Sequence, residues 1–323
     1  PGRGTRMAHR LPPMTGIAPT PRPGPGARTL RQRLGREAPL GYLLLLPLLL
    51  VTFGLLVYPI ANAFSISLQD RMLGAQGPFI GLGNYIELLT DDRRFRSVAG
   101  NSVVFTLVSV GGKILIGMVM ALLLNQRLAM REMFRGWLLF PWVAPTFVTA
   151  LTWRWMYDGT AGVINYVLLQ LGLIKLPIAW LADPATAMGA VIATNIWRGF
   201  PFFGVSLLAA MQGIPNELYE AADVDGANAW DKFWAITLPG VRTVLVIITI
   251  LSTIWTFNDF AIVYIMTGGG PAFATHIFAT YTYHLGFQGS RLGYAIAVSV
   301  SLTPLLIFLI LALSPLILRG ENE

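Results

Sequence analysis

The chain has 323 residues, of which 54% are hydrophobic and only 12% charged, with a formal net charge of +7. Soluble domains carry about a quarter charged residues, so this composition excludes an ordinary water-facing globule and points to a polytopic membrane protein. Cysteine is absent, and His9, His276 and His284 are too scattered to hold a metal, so a disulfide framework, a thiolate centre and a metal site (none expected) drop out.

Residues 1–38 come first. Up to Arg36 this head holds eight Arg and no acid among many Pro and Gly. It lacks apolar periodicity and reads as a disordered cytosolic tail rather than a transit peptide. Residues 39–97 hold a first span and an outer loop. Residues 98–318 hold the transmembrane core, and 319–323 a short cytosolic end.

A helix needs about 20 apolar residues to cross about 30 Å of hydrocarbon. Six stretches qualify: 40–68, 98–124, 133–157, 185–211, 241–265 and 292–318. Lipid forces each to satisfy its own backbone, so an all-α bundle is expected, with kinks at Pro47, Pro59, Pro141, Pro145, Pro201 and Pro304. The first stretch is too long for a signal core, and no small-residue cleavage site follows it. With the N-terminus inside, the cytosolic segments hold fourteen Lys and Arg and the outer loops six. The positive-inside rule then places both termini in the cytosol.

The loop 213–240 is the most informative segment. Its stretch "NELYEAADVDGANAWDKFWAITLPG" carries five acids and one Lys, with Arg242 just beyond. Asn216 can cap a helix, Leu218, Ala221, Ala222 and Val224 follow at helical spacing, and Gly226 can end it at positive φ. Asn228 can cap a second short helix through Trp230, Phe233 and Trp234. The prediction is helix, glycine turn, helix at the inner membrane face. Small Ala side chains admit a close partner, and the acids suit a basic rim. The acids argue against the bland alternative of a hairpin lying on an anionic leaflet.

Glu220-Ala221-Ala222, then Gly226, then Ile236-x-Leu238-Pro239 resemble the EAA signature of ABC importer permeases at every position. "FIGLGNY" (79–85), "LLFPWVAPTFVTALTWRWMYDGTAGVINYVL" (138–168), "NIWRGFPF" (195–202) and "FNDFAIVYIMTGGGP" (257–271) resemble the carbohydrate branch, the maltose and glycerol-3-phosphate type. The resemblance covers residues 40 to 318. It implies a type I importer permease bundle (MetI-like) of six transmembrane helices, multi-pass in a bacterial inner membrane. It implies import of a sugar or related polyol, with an external solute-binding protein, a second homologous permease and two cytosolic ATPases as partners. ATP and Mg would sit on those ATPases, and this chain would bind no cofactor. Glu220, Ala221, Ala222, Asp225, Gly226, Ile236, Leu238 and Pro239 would carry ATPase coupling.

The chain's own motifs agree. There is no G-x-x-x-x-G-K-[ST]; Gly112-Lys113 lies within a span and lacks the first glycine of that spacing. No nucleophile elbow and no His-Glu-x-x-His occur, so no catalytic residue and no enzyme activity is expected. The basic head has neither the aromatics nor the fold of a nucleic-acid reader. Ionisable groups inside spans are functional candidates by default. Lys113, Arg198 and Asp259 are of this kind, and Asp259 is expected to pair with Arg198 or Lys113. Asn195, Trp197, Arg198, Trp255, Phe257, Asn258, Asp259 and Tyr264 form a candidate substrate path, since amides bind hydroxyls and aromatic faces bind sugar C–H groups. The plainer reading of each aromatic is packing against lipid or neighbouring helices. Arg154 is expected to anchor at the outer interface, with Asp158 as its partner. The rivals are a permease of the same type for a non-sugar solute, and a secondary carrier, which would show inverted repeats.

Overall fold

A computed structural model describes residue 2 and residues 38–126 and 130–318. The basic head up to residue 37, Arg127 and the C-terminal 319–323 lie outside the described residues. The chain divides at Pro59 into two compact units.

The first unit is helical from α1 (Ala38–Thr52) through a π-helical turn, Phe53–Val57. Its apolar side chains, from Leu43 to Val57, are almost all exposed. The wide turn has a local cause. Pro59 gives no N–H and its ring crowds the carbonyl four residues back, and a π-turn opens the helix at that place. The same device recurs at Phe233–Thr237, directly before Pro239.

The second unit begins within α2 (Tyr58–Ser67) and continues with α3 (Gly83–Thr90), α4 (Arg93–Asn125), α5 (Arg131–Val143), α6 (Thr146–Met156) and α7 (Val163–Gln170). Then come α8 (Pro184–Met211), α9 (Asn216–Val224), α10 (Ala229–Lys232) and α11 (Leu238–Phe257). The chain closes with α12 (Phe260–Thr267), α13 (Phe278–Tyr283) and α14 (Leu292–Leu318). Apart from one isolated bridge, Gln69 to Phe79, the described residues hold no β-pairing.

Among the described residues, four helices are long and apolar enough to cross a membrane: Tyr42–Ser67, Arg93–Asn125, Pro184–Met211 and Ala229–Phe257. Two of the expected spans are not single helices. The stretch 133–157 breaks between α5 and α6, where Ala144 and Pro145 are extended, with ψ of 134° and 132°. A residue before proline is driven out of the helical region, so this is a break and not the expected kink. The stretch 241–265 breaks at Asn258 and Asp259.

The core lies where α4 and α8 pack along each other. Gly117 makes that possible: a Cβ there would fall 2.4 Å from the Phe203 Cβ and 3.0 Å from the Gly204 nitrogen. Met118, Ala121 and Leu124 of α4 then pack with Phe203, Leu207 and Met211 of α8 and Val241 and Ile248 of α11. A second cluster joins Phe105, Val191, Ile262, Val263 and Ile277. Burial of a large apolar side chain contributes about 1.5–3 kcal/mol against water, but lipid is as apolar as leucine, so within a bilayer close packing itself holds these helices.

At the start of α4, Asp92 caps the helix and gathers elements from far along the chain. Its Oδ1 accepts from the Phe95 N–H at 3.0 Å, and its Oδ2 from the hydroxyls of Tyr281 (2.7 Å) and Tyr294 (2.8 Å). Burial pushes this carboxyl up, but those hydrogen bonds outweigh it and hold it below the usual carboxylate range. Beside it, Arg291 donates to both oxygens of Glu87 at 2.8 and 2.7 Å, and hydrogen bonding to that guanidinium lowers the Glu87 carboxyl.

Candidate functional site

Two features carry the chemistry. The first is the loop 213–240. Its helix α9 has no buried residue, with Glu220, Ala221 and Asp225 exposed and Ala222 half-buried. Pro215 occupies the capping position and makes no side-chain cap, so Asn216 is the first helical residue and not the expected cap. Gly226 has φ +79°, and nothing lies within 4 Å of where its Cβ would be. The turn therefore needs glycine for its backbone, not for space. Asn228 then caps α10, accepting from Trp230 N at 2.8 Å and Asp231 N at 3.1 Å, while Asp231 accepts from the Asn228 N–H in return. This is a complete capping box.

The knob is tied down at two points. Lys232 of α10 pairs with Asp223 of α9. The Tyr219 hydroxyl lies 3.0 Å from Thr237 Oγ1, at the base of α11. From Ala229 the helix runs without interruption for 29 residues to Phe257, roughly 43 Å at 1.5 Å per residue. Ile236, Leu238 and Pro239 lie in this run, with Leu238 packed on the main core and Pro239 exposed.

The far end of that helix opens on the second feature, a cavity of about 500 Å³ between α4, α5, α8, α11 and α12. Asn195, Arg198, Trp255, Asn258 and Asp259 of the expected substrate path line it, together with Lys113. Three expected residues do not. Trp197 packs edge-on against Trp153 at 5.3 Å, Phe257 is buried against Phe278, and Tyr264 packs on Phe260 and Tyr283. Sequence reasoning missed Trp142 and Phe202. Their rings lie 6.0 Å apart, and Phe202 lies 5.3 Å from Trp255, which builds an aromatic wall. The signal was the position of Phe202, seven residues and thus two helical turns after Asn195, on the same face of α8.

The expected ion pair is absent as a direct contact: among the described residues Asp259 has no cation within 4 Å. Asp259 Oδ2 instead accepts from Asn195 Nδ2 at 2.8 Å, and its Oδ1 accepts from the Ile262 N–H at 3.3 Å. Asp259 thus caps α12, and that cap is why the fifth stretch breaks here. Lys113 Nζ donates to Thr256 Oγ1 at 2.8 Å and joins α4 to α11. Arg154 is likewise not paired with Asp158. It donates to the Ile265 carbonyl at 3.2 Å, while Asp158 accepts from Thr160 and Ala161.

A larger cavity, about 870 Å³, lies beside the knob against Leu115, Met118, Val119, Trp230 and Phe233. Among the described residues that line it the one cation, Lys232, is already taken by Asp223. The cavity at the far end, with both an aromatic wall and hydrogen-bonding groups, is the better match to a polyhydroxyl ligand.

An exposed knob at one end of a long helix and a polar cavity at the other are the parts of a transport subunit. The chain belongs to the family of binding-protein-dependent transport system inner membrane components, whose model matches residues 113–319. It is 40% identical over 267 residues to the trehalose/maltose transport system permease protein MalF of Thermococcus litoralis, covering 81% of this chain and 89% of that one. It is 37% identical to the sulfoquinovosyl glycerol transport system permease protein SmoG of Agrobacterium fabrum, over 81% of this chain and 84% of the relative. Its fold matches that of a bacterial ABC transporter that imports the acidic polysaccharide alginate, with a TM-score of 0.77 at 22% identity, over 90% of this chain and 98% of the other.

Proposed function

We propose that this chain is a permease subunit of an ATP-driven, binding-protein-dependent importer of a sugar or related polyol. It sits in a bacterial inner membrane with six crossings and cytosolic termini, and catalyses no covalent step itself. A second homologous permease completes the path, an external binding protein delivers the solute, and two ATPases holding ATP and Mg supply the work. The observation that carries the reading is the exposed knob with the EAA spacing, joined by one helix to a cavity that offers an aromatic wall and a buried amide. The solutes for which the relatives are named, trehalose, maltose and sulfoquinovosyl glycerol, favour a saccharide.

In this mechanism ATPase closure moves α9. Tyr219–Thr237 and Asp223–Lys232 pass the motion to α11, whose far end carries Trp255 and Thr256 of the cavity wall. The helix breaks at Pro145 and at Asn258-Asp259 are places where such motion can be absorbed without tearing a span.

The test is purification of the tagged chain from its native membrane, followed by ATP hydrolysis against a panel of sugars with the binding protein present. Co-purification with an ATPase and stimulation by a saccharide is the expected result. A chain that emerges alone and moves solute on an ion gradient is a secondary carrier, and the reading fails.

A further inference from the structure

The cavity at the far end of α11 has an unbalanced charge. Among the described residues two cations and a single acid line it: Lys113, Arg198 and Asp259. Two of the three are engaged. Asp259 accepts from Asn195 and from the N-terminus of α12. Lys113 is 5% exposed, donates to Thr256, and its stem lies so close to Gly199 that a Cβ there would sit 2.4 Å from its Cε. Arg198 differs. Among the described residues it makes no ion pair within 4 Å and no side-chain hydrogen bond, and its Nε is buried with no partner.

One turn before it on the same helix, Asn195 is 3% exposed, and its Oδ1 is also buried without a partner. Its other end is held by Asp259, so the free oxygen is fixed in place. A buried donor or acceptor left unpaired is costly, and a charged one more so. The cavity is therefore lined by one guanidinium and one amide oxygen without partners, together with Trp142, Phe202 and Trp255.

We infer that Arg198 makes this cavity a site for saccharides that carry an acidic group, a carboxylate, sulfonate or phosphate. The inference rests on the saccharide reading above and names its substrate class. A planar guanidinium meets such an oxyanion through two parallel hydrogen bonds. A ring hydroxyl beside it donates to Asn195 Oδ1, and the C–H face lies on the aromatic wall. A neutral sugar satisfies the amide and the wall but leaves the guanidinium unmatched.

The experiment uses the assembled importer in lipid nanodiscs without its binding protein. Tryptophan fluorescence, to which Trp142 and Trp255 in the wall contribute, is titrated with glucose and with glucuronate. The wild type is expected to bind glucuronate at least about tenfold more tightly, as one charge-assisted hydrogen bond provides. Arg198→Gln is expected to abolish that preference, and Arg198→Lys to retain part of it. Rising salt is expected to shrink it. Equal binding of the two sugars by the wild type, as when an acid of the second permease already occupies the guanidinium, overturns this inference and leaves the saccharide reading standing. A preference that survives Arg198→Gln also overturns it. If neither sugar binds, the saccharide reading itself falls. Should Arg198→Gln fail to assemble, the wild-type ratio and Arg198→Lys still decide the matter.

Discussion

Gly226 and Asp92 show how much single residues carry. At Gly226 the demand is purely conformational, φ +79° with open space around the missing Cβ. An L residue pays roughly 1–2 kcal/mol in that region, Asn least and β-branched residues most. Gly226→Asn is therefore expected to keep ATPase attachment and uptake, Gly226→Ala to weaken both, and Gly226→Val to weaken them most. Uptake in cells and ATPase recovery on the tagged permease measure the ranking, and a ranking by size alone contradicts it. Asp92 makes an opposite demand, for charge. Its folded-state pKa is lowered, so its stabilisation is complete above the unfolded value of about 3.9 and is lost as pH falls through the lower folded value. Thermal unfolding in detergent is expected to be flat in this respect from about pH 5 to 7 and to lose the contribution below about pH 4. Asp92→Ala, which strips the partners from two tyrosine hydroxyls and a helix N-terminus, is expected to cost about 1–3 kcal/mol at pH 7 and to flatten that acid limb.

At the scale of elements, close approach and breakage decide the architecture. Gly117→Val pushes a branched side chain into the Phe203 Cβ and the backbone of α8. Overpacking of this kind costs roughly 1–3 kcal/mol, and a lower unfolding temperature with α4 and α8 still helical by circular dichroism is the expected result. Gly111→Val, one turn and a half earlier with nothing within 4 Å, is the matched control and is expected to be near neutral. The same scale shows what the sequence disclosed. Long apolar stretches gave α8 almost to the residue and the far end of α4, which starts five residues before the expected stretch, because hydrocarbon thickness imposes a length that composition records. Asn84 and Asn165, inside the quoted motifs, prove to hold loops: Asn84 donates to the carbonyls of Ser67 and Gln69, and Asn165 bonds Ile178 and Trp180. The two breaks were not read, although Ala144-Pro145 and Asn258-Asp259 carry the local chemistry for them. Uniform apolarity on both sides hid a proline effect and a helix cap. The aromatic wall was partly hidden for a different reason. Trp142 and Phe202 come from different helices, and no spacing within one helix reports which side chains meet across a cavity.

For the whole molecule the consequential arrangement is the distance between knob and cavity, roughly the length of the 29-residue run from Ala229 to Phe257. Coupling across such a distance is a free energy shared by both sites, so it must be reciprocal. If nucleotide-driven closure of the ATPases changes the affinity of the cavity for its solute by some factor, the solute changes nucleotide affinity by the same factor, typically about 5 to 150. The knob is joined to the base of α11 by the 3.0 Å contact of Tyr219 with Thr237 and by the exposed pair Asp223–Lys232. An exposed pair contributes little, so the hydroxyl contact is the stronger link. Tyr219→Phe removes about 0.5–1.5 kcal/mol of hydrogen bonding while leaving the ring in place. The expected result is that both factors fall together, by up to about tenfold, with ATPase attachment preserved. Solute affinity measured with and without a non-hydrolysable ATP analogue, and analogue affinity with and without solute, provide the two numbers. If Tyr219→Phe leaves them unchanged while Gly226→Val abolishes uptake, force enters the bundle through the turn by another route, and α11 is not the lever.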